Sequence, residues 1–196
     1  VPGTKIIVFY PKGGVSHGQE LQMVTQKGEN TSVVAIHGNF DNAQSGVKAI
    51  FEDKELAAEL DAKGYQFSSA NSINIGRLVP QVVYYVYAYA KLLENEEIQA
   101  GEEINVTVPT GNFGNILAAY YAKQMGVPIA KLICASNDNK VLFDFFQTGV
   151  YDRNREFILT SSPSMDILIS SNLERLIYTI AGQDAQKDAE LMTQLK

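Results

Sequence analysis

Residues 107–126 read Thr-Val-Pro-Thr-Gly-Asn-Phe-Gly-Asn-Ile-Leu-Ala-Ala-Tyr-Tyr-Ala-Lys-Gln-Met-Gly. Just upstream, Ile104 to Val108 alternates and is rich in β-branched residues, the pattern of a strand. Ile116 to Met125 is built of helix formers and stops at Gly126-Val-Pro128. A strand that enters a helix through a short glycine-bearing loop is the repeating unit of parallel α/β folds. The loop itself is Gly111-Asn112-Phe113-Gly114-Asn115. Its glycines allow a sharp turn and a close approach of backbone to a ligand, and the first-turn N–H groups of the helix lack carbonyl partners. An anion suits that place. The helix dipole offers about 0.3–2 kcal/mol, whereas each charge-assisted N–H bond adds roughly 1.5–3 kcal/mol, so hydrogen bonds dominate.

The kind of anion follows from what the loop lacks. No Lys-Ser/Thr follows the second glycine, as a nucleoside-triphosphate loop requires, and the dinucleotide fingerprint's third glycine is missing. A compact phosphate monoester remains. For a bare Gly-x-x-Gly the plain alternative is an ordinary tight turn between strand and helix.

Outward from this unit, the same alternation recurs. Lys5 to Tyr10 reads as a strand, Ser16-His-Gly-Gln19 as a capping box for a helix to about Gln26, and Thr31 to His37 as a buried strand. Asp41 is expected to cap a helix with Ala43, Val47, Ile50 and Phe51 on one face, and Asp53 a shorter helix ending at Gly64. A short strand is expected at Phe67 to Ala70. A long helix from about Asn74 to Leu93, apolar nearly all round and bent by Pro80, should lie inside. Strands at 104–108 and 131–135 frame the loop helix; a helix at 140–147, a strand at 157–160 and helices at 171–181 and 184–195 complete the pattern. The expected architecture is α/β, a mostly parallel sheet with helices on both faces, in one body spanning 1–196.

The 196 residues are 45% hydrophobic and 19% charged, ordinary for a globular chain with one sizeable core. The formal charge of −6 argues against nucleic acid or an anionic membrane as partner. The single cysteine, Cys134, sits in an apolar stretch, so no internal disulfide forms and an inert thiol in a reducing, cytoplasmic setting is expected. The longest apolar run, Val82 to Ala90, is too short to span a bilayer.

Small polar residues cluster at two further places, Asn71-Ser-Ile-Asn74 and Ser136-Asn-Asp-Asn139. In a parallel sheet, ligands collect at the carboxyl ends of strands, which makes Asn71, Ser72 and Asn74 candidate ligand contacts, to substrate or cofactor, with a helix cap as the plain reading of Asn74. Ser136 to Lys140 offers one acid and reads as a cap for the following helix. His17 and His37 lack patterned partners, and no metal site is expected.

Four stretches together resemble the threonine synthases of the pyridoxal-phosphate-dependent tryptophan-synthase-β fold group. They are Ser68-Ser-Ala-Asn-Ser-Ile-Asn-Ile-Gly-Arg-Leu78, Val108-Pro-Thr-Gly-Asn-Phe-Gly-Asn115, Ser161-Ser-Pro-Ser-Met-Asp-Ile167 with Ser171-Asn172, and Gly38-Asn-Phe-Asp41 with Gln44 and Val47-Lys48. The chain departs from the pattern at Thr110, where serine is expected, and at Asn115, where some members carry aspartate. The resemblance implies that Gly111, Asn112, Phe113, Gly114 and Asn115 hold the phosphate of pyridoxal 5'-phosphate. It also implies conversion of O-phosphohomoserine, a phosphorylated amino acid, and water to threonine and phosphate. In the family a lysine in a Phe-Lys-Asp-type context attaches the cofactor as a Schiff base, and no lysine of this chain has that context. The expectation is therefore a central fragment with no catalytic residue of its own, inactive alone, its 171–196 helices leading into a missing segment and its truncated surfaces prone to self-association. A serine/threonine dehydratase, a cysteine synthase or a non-catalytic phosphate-binding module stand as alternatives.

Overall fold

A computed structural model describes residues 3–195, and they fall into two compact units. One runs to Phe67 and takes in Leu159–Pro163; the other comprises Ser68–Ile158 and the chain from Ser164 onward.

The first unit opens with β1 (Ile6–Pro11), which pairs in parallel with β2 (Thr31–Ile36), in register from Ile6 opposite Thr31 to Pro11 opposite Ile36. Parallel partners need a crossover, and α1 (His17–Val24) supplies it, started by the expected capping box: Ser16 accepts from the Gln19 N–H while the Gln19 side chain reaches back to the Ser16 N–H. For α2 (Phe40–Glu52) the cap is not Asp41 but Asn39, which exchanges side-chain to backbone bonds of 2.9 Å with Asn42. Two asparagines three apart satisfy one another's amides, leaving Asp41 inside the first turn, where a negative charge complements the dipole. Asp53 caps α3 (Lys54–Ala62) as expected, accepting from the N–H groups of Glu55 and Leu56.

In the second unit the long helix is three pieces: α4 (Ile75–Leu78), a 3-10 turn at Val79–Gln81 and α5 (Val82–Glu94). Pro80 sits in the turn, since it has no N–H to donate back and its ring crowds the preceding turn. The expectation that this helix is wholly interior fails here: Val82 and Tyr89 are buried, but Val83, Tyr84, Val86 and Tyr87 are exposed. Then come β3 (Ile104–Pro109), α6 (Gly114–Gln124) and β4 (Ile129–Ala135), with β3 and β4 parallel and one irregularity between Ile104 and Asn105. The chain closes with α7 (Val141–Thr148), α8 (Leu173–Ile180) and α9 (Ala185–Leu195). Parallel pairing is as expected, in the form of a two-stranded ladder in each unit. Residues 67–70 and 157–160 are not strands.

The core of the second unit is gathered around α6. Leu117, Ala118, Ala119 and Ala122 are fully buried, and Leu117, Ala118 and Ala122 form one cluster with Leu78, Val108, Ile129, Val141, Leu142, Leu173 and Leu176. Each large apolar side chain buried there contributes about 1.5–3 kcal/mol, so packing fixes the helix that carries the glycine loop. No helix among the described residues is long and apolar enough to cross a membrane.

Candidate anion-binding site

A cleft of about 370 Å³ in the second unit is walled by three segments: the loop from Pro109 to Ile116, the turn at Ala70, Asn71 and Ser72 with Arg77 and Gln81 beyond it, and Ser164 with Met165. All five loop residues, Gly111 to Asn115, reach it, as do Asn71 and Ser72. Asn74 does not; its Oδ1 caps α4 by accepting from the Gly76 N–H at 2.9 Å, and its Nδ2 donates to the Ser69 carbonyl. Among the described residues, Arg77 is the one cationic side chain in the wall, and no lysine lines it.

The loop opens α6 with Phe113 in the left-handed region at φ 65°, a conformation that costs a side-chain-bearing residue about 1–2 kcal/mol. The buried Phe113 ring, 6.0 Å from that of Phe146, helps hold it there. Gly114, Asn115 and Ile116 form the first turn, so their N–H groups have no carbonyl one turn back.

Packing within the protein also requires the two glycines. A methyl group on Gly114 would stand 2.8 Å from Ser72 Cβ and 3.4 Å from Asn172 Nδ2, and one on Gly111 would stand 2.8 Å from the end of the Ile167 side chain. Both glycines let neighbouring segments of the protein close upon the loop.

Those segments are tied together by residues that composition did not single out as site groups. Asn172 is completely buried, and its amide donates to the Asn112 carbonyl at 2.9 Å and to Ser72 Oγ at 3.0 Å. Arg175 donates to Asn172 Oδ1, to the Ser72 carbonyl at 3.1 Å and to the Ile73 carbonyl at 2.7 Å. One amide and one guanidinium, about a hundred residues beyond the 71–74 turn in sequence, thus join that turn to the glycine loop. In the sequence, only the Ser171-Asn172 pair points to this.

A second chain of bonds reaches Asn115. Gln81 Nε2 donates to the Arg77 carbonyl at 2.8 Å, Asn115 Nδ2 donates to Gln81 Oε1 at 3.1 Å, and Tyr85 donates its hydroxyl to Asn115 Oδ1. A backbone carbonyl accepts only, so it sets the direction of every amide in the row. Burial pushes the Tyr85 phenol up to about 12, keeping it a donor.

The cluster at 137–139 does not cap α7, whose Lys140 cap makes no side-chain bond. Instead Asn137 and Asn139 donate to the buried Asp166 at 2.7 and 2.9 Å, and Asn139 pairs with the Ile158 backbone at 2.7 and 3.0 Å. This anchors the segment that bears Ser164 and Met165. Cys134 is half-buried; burial pushes its thiol up and the Thr110 hydroxyl partly offsets the shift, which keeps the sulfur a poor nucleophile. No group of three or more metal-ligating side chains occurs among the described residues.

Comparison with known proteins gives the site its setting. No protein-family model matches the chain. It is 49% identical over 193 residues to human threonine synthase-like 1, covering 97% of this chain and 26% of that protein. It is 42% identical over 178 residues to threonine synthase from Saccharomyces cerevisiae, covering 91% of this chain and 33% of the yeast protein. Its fold superposes on a PLP-bound threonine synthase from Brucella melitensis with a TM-score of 0.77 at 37% identity, over 98% of this chain and 45% of that one. The chain therefore spans less than half the length of each of these proteins. In sequence and in backbone alike, the chain is similar to one segment of these threonine synthases.

Proposed function

We propose that this chain carries the cofactor-phosphate anchor and part of the substrate cleft of a pyridoxal-phosphate-dependent threonine synthase, a carbon–oxygen lyase that turns O-phosphohomoserine and water into threonine and phosphate. The observation that carries the reading is that the Gly111–Asn115 loop at the start of α6 lines one cleft together with Asn71, Ser72 and Arg77. That donor set fits a phosphate monoester: first-turn amides at the positive end of an eleven-residue helix, a guanidinium, and no carboxylate in the wall. The cleft's volume also lies within the range of small-molecule sites, roughly 300–1,000 Å³.

When bound, pyridoxal phosphate supplies an electron sink for the amino acid. The residues of this chain bind and orient. The amides of Gly111 to Asn115 hold the cofactor phosphate, Asn71 and Ser72 face the substrate, and Arg77 attracts the substrate's phosphate. With no lysine in the wall, the lysine that attaches the cofactor is assigned to a segment other than this one, and the chain alone does not turn over. A second reading has one observation in its favour: the relatives at 49% identity are named threonine synthase-like. On that reading the same anchor serves a different substrate in the same cleft.

Amide NMR of the chain titrated with inorganic phosphate, pyridoxal phosphate, phosphate-free pyridoxal and O-phosphohomoserine tests both. Inorganic phosphate is expected to bind at roughly millimolar strength and shift residues 111–116, as is pyridoxal phosphate, whereas pyridoxal does not. With the 111–116 amides saturated by pyridoxal phosphate, O-phosphohomoserine is expected to add shifts at 71–77. Equal shifts from pyridoxal and pyridoxal phosphate would sink the anchor. Binding of pyridoxal phosphate with no response to O-phosphohomoserine would favour the second reading.

A further inference from the structure

The cradle's donors are in place only if each peptide of the loop is turned the right way. In a trans peptide the C=O of one residue and the N–H of the next point in opposite directions. No described peptide is cis. Where a loop carbonyl is held therefore dictates where the following N–H points.

Two loop carbonyls are held by buried side chains that take no part in the cleft wall. Ser170 donates its hydroxyl to the Gly111 carbonyl, and Ser170 itself is fixed by its N–H, which donates to Tyr151 Oη at 2.9 Å. Asn172 donates twice to the Asn112 carbonyl, from its backbone N–H at 3.1 Å and its side-chain amide at 2.9 Å. Ser170 is 9% exposed and Asn172 is fully buried, and neither lines the cleft, so both carbonyls face the interior. The Asn112 and Phe113 N–H groups are thereby turned the opposite way. The next carbonyl, that of Phe113, accepts from Leu117 within α6, which sets the Gly114 N–H along the helix axis and out of its first turn. A flip of either held peptide would replace a donor by a carbonyl oxygen, and an anion would meet repulsion where it needs a hydrogen bond.

We propose that Ser170 and Asn172 are positioning residues of the phosphate cradle, which act by locking the Gly111 and Asn112 carbonyls inward so that the Asn112 and Phe113 amides face the anion. The same lock explains how Phe113 is kept at φ 65° without being glycine. This inference rests on the reading of Gly111–Asn115 as a phosphate anchor and goes beyond it by naming what sets the donors.

The test uses the chain itself, inorganic phosphate as probe, and the Asn112 and Phe113 amide resonances as readout, with the urea midpoint measured in parallel. Ser170→Ala is expected to weaken phosphate binding about tenfold and to move the Asn112 amide resonance before any phosphate is added. Ser170→Thr, which keeps the hydroxyl, is expected to restore both. A merely structural serine would change the urea midpoint and leave the affinity of the folded chain alone; phosphate affinity of Ser170→Ala within twofold of the unchanged chain overturns the proposal. If the unchanged chain shows no phosphate response at 111–116, the anchor reading falls and this proposal with it. Should Ser170→Ala not fold, the scalar coupling across the hydrogen bond from the Asn172 N–H to the Asn112 carbonyl decides in the unchanged chain. Its persistence at saturating phosphate supports the lock, and its loss overturns it.

Discussion

Gly114→Ala adds a single methyl group at the point where three segments meet, and the structure indicates what it costs. The new Cβ would lie 2.8 Å from Ser72 Cβ, 3.1 Å from Ser72 Oγ and 3.4 Å from Asn172 Nδ2. The closest of these is a carbon directly on the backbone of the 71–74 turn, which Arg175 holds by two carbonyls, so it cannot swing aside as the tip of a long side chain would. Overpacking of this kind costs about 1–3 kcal/mol. Displacing Ser72 also stretches its 3.0 Å bond to Asn172, a loss of roughly 0.5–1.5 kcal/mol. Alanine's advantage over glycine in a helix returns at most about 1 kcal/mol. The net expectation is a loss of about 1–3 kcal/mol, which at a urea slope near 2 kcal/mol/M lowers the midpoint by roughly 0.5–1.5 M. Because the chain has two compact units, the transition should be followed at the buried Leu117 and Ala118 amides, which report on the second unit alone. Gly46→Ala is the contrast. Gly46 lies inside α2 with nothing within 4 Å of its would-be methyl, and that variant is expected to gain about 0.5–1 kcal/mol at first-unit amides. A Gly114→Ala midpoint equal to or above that of the unchanged chain would refute the three-segment contact.

Two further outcomes follow from the row of bonds at Asn115. Asn115→Asp places an acceptor against Gln81 Oε1, and turning the Gln81 amide only moves the clash to the Arg77 carbonyl, so about 1–3 kcal/mol is lost at pH 7. A protonated carboxyl can donate again, and the deficit should shrink as pH falls toward 4 in urea unfolding monitored at the second unit; a pH-independent deficit refutes the assigned direction. The Tyr85 phenol is raised from 10.0 to about 12 by burial, so the folded state keeps a proton that the unfolded state has lost between those values. Its contribution to stability is present below about pH 10 and declines as pH rises through 12, and an ultraviolet titration should show a late phenol that vanishes in Tyr85→Phe.

Local chemistry determined most of the elements. The Ser16 and Asp53 caps, the β-branched runs at Ile104 and Thr31 and the helix formers after Gly114 need only nearby backbone to express their preference, and each element appears where its residues point. The glycine loop was legible for the same reason, since its chemistry is that of a strand meeting a helix. Where short-range signals competed, the sequence misdirected: Asn39 outcompeted Asp41 as a cap, and the segments at 67–70 and 157–160 do not form strands. Tertiary structure alone decided what surrounds the loop. Nothing in the spacing of Ser72, Ser170, Asn172 and Arg175 says that one amide and one hydroxyl will hold two carbonyls of a loop about sixty residues away. Nor does it say that the loop glycines serve contact with Ser72 and Ile167. Polar side chains of this kind carry no periodicity, and their partners are set by how the packed helices bring distant segments together.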